Sequence, residues 1–507
     1  MRYQISHPHR RKKSKFATLR VICIYSILGY FIPNLIYIKK SQFYIKNSLV
    51  FVFIIIYNKL KVNAFKENAM RINVNPQKTI GKIKPMHAVG QPPIGGTFDQ
   101  YPHAPFHYLT EANIPYSRLH DVGGYFGGGR FVDIPNIFRD FDADENAPEN
   151  YDFVFTDRLI TGLINAKVAP YYRLGVTIEN YAVIKQYNQD PPKDFAKWAR
   201  ICEHIVAHYI DGWADGFHYD MPYWEIMCEP DSGHGFRGRI APFWWGTPEQ
   251  YYELYDITAK ALKGRFGDRI KVGGYSMYGF YYVTDTEEER AAAPIHEYRM
   301  DFFHGFMNYI KEHGTPLDFF SWHSYMSVEK TLVHADYLSE QLINYGYPNT
   351  ESHLAEWNAD FKTRGTGHHA AAISAMMLGM QRKKTDMLCL YDARISGGDY
   401  CPFFNPITYK PWQGYYAVAA FGILYGLGAE IELTLDAAPD KFYAVAATTE
   451  SKHAIMISNT SGNTVPLEIE GVDLTDARWS VIDDARLLSW SPALKEIPND
   501  AVVLIEF

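Results

Sequence analysis

From Lys84 onward, short apolar runs alternate with amphipathic stretches of a dozen or more residues. This alternation limits the chain to folds with a parallel sheet and helical crossovers. The runs Met86 to Val89, Ile114 to Arg118, Val168 to Leu174, Tyr223 to Met227, Ile270 to Gly273, Leu317 to Trp322, His353 to Glu356 and Met387 to Tyr391 read as strands. Between them, Phe195, Trp198, Ile201, Cys202, Ile205, Val206 and Tyr209 recur at helical spacing and form one apolar stripe behind Pro191-Pro192. Another helix opens at Thr247, with Pro248 at its first position and Gln250 placed for a capping box, and it ends at Gly267. Further helices fit Phe153 to Asn165, Phe302 to Glu312, Leu332 to Asn344, His369 to Arg382 and Gln413 to Leu427. Eight strands with interleaved helices predict an α/β protein, a closed (β/α)8 or TIM barrel, over residues 70–428.

After Gly428 the texture changes to short alternating runs, such as Phe442 to Ala446, His453 to Ser458 and Val502 to Phe507, separated by turn residues. This predicts a C-terminal β-sandwich over residues 429–507, to which Met70 to Asn75 can add a strand from ahead of the barrel. With no low-complexity linker, the two parts are expected to pack rigidly together.

Residues 1–69 form a separate basic and apolar extension: the basic run His9 to Lys15 precedes apolar stretches at Val21 to Ile38 and Leu49 to Tyr57. A basic segment before an apolar one is what a secretion signal or membrane anchor requires. The alternative is an upstream extension ahead of a true start at Met70. The first reading makes the protein secreted, periplasmic or membrane-anchored, and the second leaves it cytoplasmic.

The formal charge of −7 and the lack of a basic stripe in the body of the chain argue against a nucleic-acid partner. The cysteines Cys23, Cys202, Cys228, Cys389 and Cys401 show no CxxC spacing, so neither a zinc site nor a disulfide framework is indicated. No cofactor is implied. An aromatic fraction of 16% suits rings that stack on sugar faces, although large cores are aromatic too.

Functional residues in such a barrel gather at the carboxyl ends of the strands. The fourth strand runs into Cys228-Glu229-Pro230-Asp231 and the seventh into Glu356-Trp357-Asn358, so two glutamates face one cleft. Carboxyl groups about 5–5.5 Å apart cleave a glycosidic bond with retention, one protonating the leaving oxygen and the other attacking the anomeric carbon. A single glutamate at a barrel rim is more often one half of an ion pair. Two on these strands shift the balance.

The segment Trp224-Glu225-Ile226-Met227-Cys228-Glu229-Pro230-Asp231 resembles the acid/base motif of glycoside hydrolase family 39, which contains β-xylosidases and α-L-iduronidases. The likeness extends to Tyr116-Ser117-Arg118-Leu119-His120, Tyr151-Asp152-Phe153 with Asp157-Arg158, and Pro191-Pro192-Lys193-Asp194 with Trp198. It continues through Asp318-Phe319-Phe320-Ser321-Trp322-His323 and His353-Leu354-Ala355-Glu356-Trp357-Asn358. The resemblance implies a retaining glycosidase acting on the non-reducing end of an oligosaccharide or glycoside, with Glu229 as acid/base and Glu356 as nucleophile. Glu229 is then expected to have a raised pKa, from burial and from the negative charge of Glu356. It also implies that His120 and His323 bond sugar hydroxyls or brace the nucleophile, and that Arg118 holds Glu356 ionised. Tyr325, Trp357 and Trp412 are candidates for lining sugar subsites, although aromatics near a barrel mouth are as often packing.

Cys228 departs from the family pattern, which has an asparagine bonding the sugar 2-hydroxyl, and cysteine is a poor hydrogen-bonding partner. Another side chain supplies that bond, or the substrate differs at C2, or catalysis is lost; a redox role is a further option. With both glutamates intact, an active enzyme with altered preference is the favoured reading. An iduronidase-like preference needs cationic groups, and Arg173, Arg237, Arg239 and Arg394 fall near predicted mouth loops. A carbohydrate-binding protein without turnover is the alternative from another class. An aldolase or isomerase needs a Schiff-base lysine or a metal cluster at strand ends, and the sequence supplies neither.

Overall fold

The computed structural model describes residues 69–94, 104–120, 122, 132–176, 190–233, 243–395 and 397–507. The basic and apolar runs before Met70, Arg237, Arg239 and most of the loop Gly123 to Asp133 lie outside these residues. Among the described residues no helix is long and apolar enough to cross a membrane.

The strand β1 (Met70–Lys82) precedes a closed parallel barrel of β2 (Ala88–Gly90), β3 (Tyr116–Leu119), β4 (Ala169–Leu174), β5 (Tyr223–Ile226), β6 (Lys271–Met277), β7 (Phe319–Ser324), β8 (Glu351–Trp357) and β9 (Met387–Tyr391). Closure comes from β2 pairing with β9, Val89 opposite Leu390. These strands carry apolar residues on both faces because one face fills the barrel and the other lies beneath helices. The inner face is plugged by Ala88, Tyr171, Tyr223, Phe319, Met387 and Cys389, a packed layer below the mouth.

The predicted helices are present: α1 (Val154–Asn165), α2 (Phe195–Ile210), α3 (Pro248–Phe266), α4 (Ile295–His313), α5 (Val328–Tyr345), α6 (Gly367–Gln381) and α7 (Gln413–Leu427). The stripe read from the sequence is buried along α2, whose first turn is capped by Asp194 accepting from the Lys197 N–H. The Thr247 and Gln250 side chains form the reciprocal capping box on α3. Several boundaries differ from the sequence reading, α5 for example beginning four residues early at Val328. Strand β6 continues to Met277, through Gly274 and Ser276, and α4 begins at Ile295, seven residues early, because His296 and Glu297 carry no apolar periodicity.

The remaining strands are β10 (Ala429–Asp436), β11 (Phe442–Thr448), β12 (His453–Asn459), β13 (Val465–Glu470), β14 (Arg478–Ile482), β15 (Ser489–Ser491), β16 (Glu496–Ile497) and β17 (Ala501–Glu506). With β1 they form one sheet in the order β15-β14-β17-β12-β11-β10-β1-β13-β16. As the sequence suggested, Met70 to Asn75 enter it, pairing with β10. Alternate residues divide between two cores. Ala444, Ala446, Ile455, Ile457, Val503 and Ile505 pack inside the sheet domain, while Val445, Ala447, Ala454, Met456, Val502 and Leu504 join the barrel core, where α6 and α7 cover the strands. A sheet buried on both faces accounts for unbroken runs such as Val502-Val503-Leu504-Ile505, and it ties the sheet firmly to the barrel.

Candidate active site

Above the plug, Arg118 on β3 and Glu225 on β5 are both fully buried. Arg118 reaches Glu225 Oε2 with Nε at 2.9 Å and Nη2 at 2.8 Å, and its Nη1 donates to Glu356 Oε1 at 3.0 Å. One guanidinium therefore contacts both carboxylates, Glu225 and Glu356. It also donates to Cys228 Sγ at 3.3 Å and Ser276 Oγ at 2.6 Å.

Glu356 lies at the end of β8, nearly buried. Its Oε1 is 2.6 Å from His120 Nε2 and 3.6 Å from His323 Nε2, and its Oε2 accepts from the Tyr325 hydroxyl at 3.0 Å. Burial by itself raises a carboxyl pKa, but Arg118 and His120, both in contact with Oε1, outweigh it and hold Glu356 well below the usual carboxylate range. Burial, reinforced by Glu356, pushes the Tyr325 phenol well above its ordinary value, so it remains a donor. His120 takes hydrogen bonds on Nδ1 from Gln91 Nε2 at 3.2 Å and Arg118 Nη1 at 3.0 Å, which leaves its Nε2–H for Glu356.

Glu229 follows β5 in a chain that turns sharply. Met227 and Glu229 both adopt left-handed backbone (φ 66° and 50°), a conformation costly for residues with a Cβ and concentrated at functional sites. The Glu229 N–H donates to the Ser276 carbonyl at 3.2 Å. Its Oε1 lies 2.6 Å from His323 Nδ1. Carboxylate oxygens of Glu229 and Glu356 are within 4.8 Å of each other, with His323 between them. Burial lowers the His323 pKa to about 4, and Arg118 and His120 add to this, so the imidazole is neutral near neutral pH.

Cys228 is buried, 3.9 Å from Glu356 Oε1, and burial pushes its thiol well above the ordinary value. The trios His120, Cys228, Glu356 and Glu229, His323, Glu356 have the spacing of metal ligands. Arg118, however, donates to Cys228, Glu356 and His120 at once, so a cation at the first trio meets a guanidinium. This donor set suits proton handling rather than metal binding.

The aromatic candidates separate. Tyr325 faces Glu356, and its ring neighbours Tyr400, which neighbours Tyr391. Trp357, the next residue along β8, points to the opposite side; it is fully buried and lines a cavity of about 430 Å³ together with Tyr325, Tyr400, Asn358 and Phe361. Trp412 packs beside Gly365. Of the arginines considered for a uronate, buried Arg173 is bound to Asp133 at 2.8 Å and to the His120 carbonyl. Arg394 is held by Asp392 at 2.6 Å. Arg237 and Arg239 lie outside the described residues.

Glu225, Gln91 and Ser276 were not singled out from the sequence. Glu225 carried a signal: a charged residue in the middle of the apolar strand Tyr-Trp-Glu-Ile-Met demands a buried partner. Gln91 and Ser276 carried none, since each is an ordinary polar residue just beyond or within a strand.

Residues 70–354 match the family described as Glycosyl hydrolases family 39. The chain is similar to a beta-xylosidase of Geobacillus stearothermophilus, 25% identical over an alignment of 314 residues, with 56% of this chain and 53% of the relative covered. It thus spans about half the length of that xylosidase. Among solved structures it resembles a glucosidase from Croceicoccus marinus (TM-score 0.67, 20% identity, 87% of this chain and 98% of that one). It also resembles a GH39 beta-xylosidase from Caulobacter crescentus (TM-score 0.60, 16% identity, 86% and 99%). At these identities the solved structures speak to the fold alone.

Proposed function

Because this chain belongs to family 39 of the glycosyl hydrolases, we propose that it is a retaining, exo-acting glycosidase of the β-xylosidase type, with Glu356 as nucleophile and Glu229 as acid/base. The observation that carries this reading is the pair of nearly buried glutamates whose carboxylate oxygens approach within 4.8 Å across the barrel mouth. That spacing leaves no room for a water between carboxylate and sugar, as inversion requires, and it suits direct attack by one carboxylate.

In the first step Glu356, kept ionised by Arg118 and His120, attacks the anomeric carbon while Glu229 gives its proton to the departing oxygen. The glycosyl ester then leaves Glu356 uncharged. Glu229, now a carboxylate, takes a proton from the water that attacks the same carbon and releases Glu356. Tyr325 donates to Glu356 Oε2 while Arg118 and His120 hold Oε1, which fixes the carboxylate for attack.

A uronoside preference is less well supported. The two described candidate arginines, Arg173 and Arg394, are already matched to Asp133 and Asp392, so a neutral sugar is the better fit. The test is a hydrolysis screen of the purified protein against aryl β-xyloside, β-galactoside, α-arabinoside and uronosides, with product anomers followed by NMR. Turnover with retention is expected on the β-xyloside. Inversion would overturn the mechanism. Silence across the panel from a folded protein transfers the weight to carbohydrate binding without turnover. Glu356→Gln is expected to leave less than a few percent of activity, and Glu229→Ala to be partly rescued by azide on a substrate with a good leaving group.

A further inference from the structure

We propose that Ser276 is a positioning residue that places the ring proton of His323 on Nδ1 and thereby confines the acid proton of Glu229 to its Oε2. This rests on the reading of Glu229 as general acid.

The assignment follows from counting hydrogens along one chain of contacts. Arg118 has only donors, and its Nη2 lies 2.6 Å from Ser276 Oγ, so the hydroxyl oxygen accepts there. A second lone pair could accept from an Nε2–H of His323, also at 2.6 Å, but the hydroxyl hydrogen would then have no acceptor among the described residues, so it is donated to Nε2. Nε2 must therefore be the bare nitrogen of a neutral imidazole. The ring proton is on Nδ1, which donates to Glu229 Oε1 at 2.6 Å. A doubly protonated ring would instead turn Nε2–H toward Ser276, but burial, helped by Arg118 and His120, lowers the His323 pKa to about 4 in spite of Glu356 and Glu225, so the ring is neutral. The Ser276 main chain adds to the hold on the same residue, its carbonyl accepting from the Glu229 N–H and its own N–H donating to Ser321 Oγ at 2.8 Å.

The chemical consequence concerns where a proton can go. With hydrogen on Nδ1, His323 cannot accept the proton of Glu229, so the acid keeps it on Oε2 for the leaving oxygen. After transfer the Glu229 anion retains the Nδ1–H donor, which stabilises the charged form through the second step. Without the serine hydroxyl, the Nε2–H tautomer becomes available. Nδ1 then accepts from Glu229, holding its proton back and removing a donor from its anion.

Two measurements on the full chain decide this. In ¹⁵N spectra of histidine-labelled protein, with the His323 signals identified by their loss in His323→Asn, the Nδ1–H tautomer is expected; an Nε2–H tautomer overturns the proposal. This readout does not depend on turnover, so it stands apart from the fate of the functional reading. In Ser276→Ala, kcat/KM on a substrate with a poor leaving group, which needs the acid, is expected to fall by about 30-fold, against less than about 3-fold on a 2,4-dinitrophenyl glycoside. The alkaline limb of kcat/KM moves to higher pH, because the Glu229 anion has lost a donor. Equal losses on both substrates with an unmoved limb would make Ser276 merely structural and overturn the proposal. If the variant fails to fold, the wild-type tautomer alone decides between the proposal and its rejection.

Discussion

Arg118 Nη1 lies 3.0 Å from Glu356 Oε1 while the same guanidinium holds Glu225 through Nε and Nη2, so one buried cation serves two buried carboxylates. Removing it as Arg118→Met leaves both carboxyls without their shared cation in a dry interior, and each then shifts toward its protonated form, Glu356 less so because His120 and Tyr325 still donate to it. Glu356 is ionised in the fold at a pKa well below the ordinary one, so its pairing contributes stability that is present above the unfolded carboxyl value and lost as pH falls through the folded one. In Arg118→Met the acid limb of kcat/KM is expected to move to higher pH and stability to drop by about 3–5 kcal/mol. Denaturant titration and a pH–rate profile check the two effects. An acid limb that stays in place would refute the claim that Arg118 sets the charge of Glu356.

Cys228 occupies a position beside both glutamates where a hydrogen-bonding side chain strengthens the transition state in family 39 enzymes. Its sulfur accepts from Arg118 and is only 3.9 Å from Glu356 Oε1, so it gives the sugar little. Cys228→Asn supplies an amide at that point. On an aryl β-xyloside its kcat/KM is expected to rise at least about 10-fold, about 1.4 kcal/mol of added transition-state stabilisation. A fall in activity, with the protein still folded, would mean that another side chain already makes the bond and that the asparagine crowds it.

The same thiol is expected to be inert. Burial pushes Cys202 and Cys228 well above the ordinary thiol value and Cys389 up to about 12, and all described cysteines are buried. Thiolates are the reactive form, so at pH 7 to 8 iodoacetamide should leave hydrolysis unchanged while labelling at most Cys23 by mass spectrometry. Inactivation with label on Cys228 would show that the site opens to solvent, and it would revive a redox role for this residue.

How much of this was legible without coordinates depended on whether a residue announced its environment. The barrel strands were visible because burial on both faces leaves continuous apolar runs, and the helix at Thr247 because its cap is encoded within four residues. Glu229 and Glu356 were visible as acids at strand ends. Trp357 reads as a ring for a sugar because aromatic character is visible in the sequence, while the face of β8 on which it falls is fixed by strand alternation from Glu356, and the ring is fully buried. Ser276 was invisible, since its role comes from where β6 ends relative to β3 and β7, a tertiary fact with no local pattern. The start of α4 was missed for the opposite reason: its first turn is helical but polar.

Buried histidines away from the site set a further expectation. His87 is fully buried, its Nε2 donating to the Asn113 carbonyl at 2.8 Å while Nδ1 has no partner among the described residues and the ring packs against Phe421 and Tyr425. His369, at the start of α6, is buried with neither ring nitrogen paired among the described residues. Burial lowers both to about 4, below the ordinary histidine value of 6.5. A histidine whose folded pKa is depressed contributes stability fully present above the unfolded value and lost as pH falls toward the folded one, because the unfolded chain takes up the proton first. The window is thus pH 6.5 down to 4, and each histidine costs up to about 3 kcal/mol across it. Urea unfolding measured at half-unit steps between pH 7 and 4 should show stability falling throughout this range. In His87→Gln, which cannot take up a proton, the slope should be shallower by roughly one proton at its steepest, below pH 6. An unchanged slope in that variant would mean that His87 is already charged in the native protein, and that its unpaired Nδ1 has found a partner in solution.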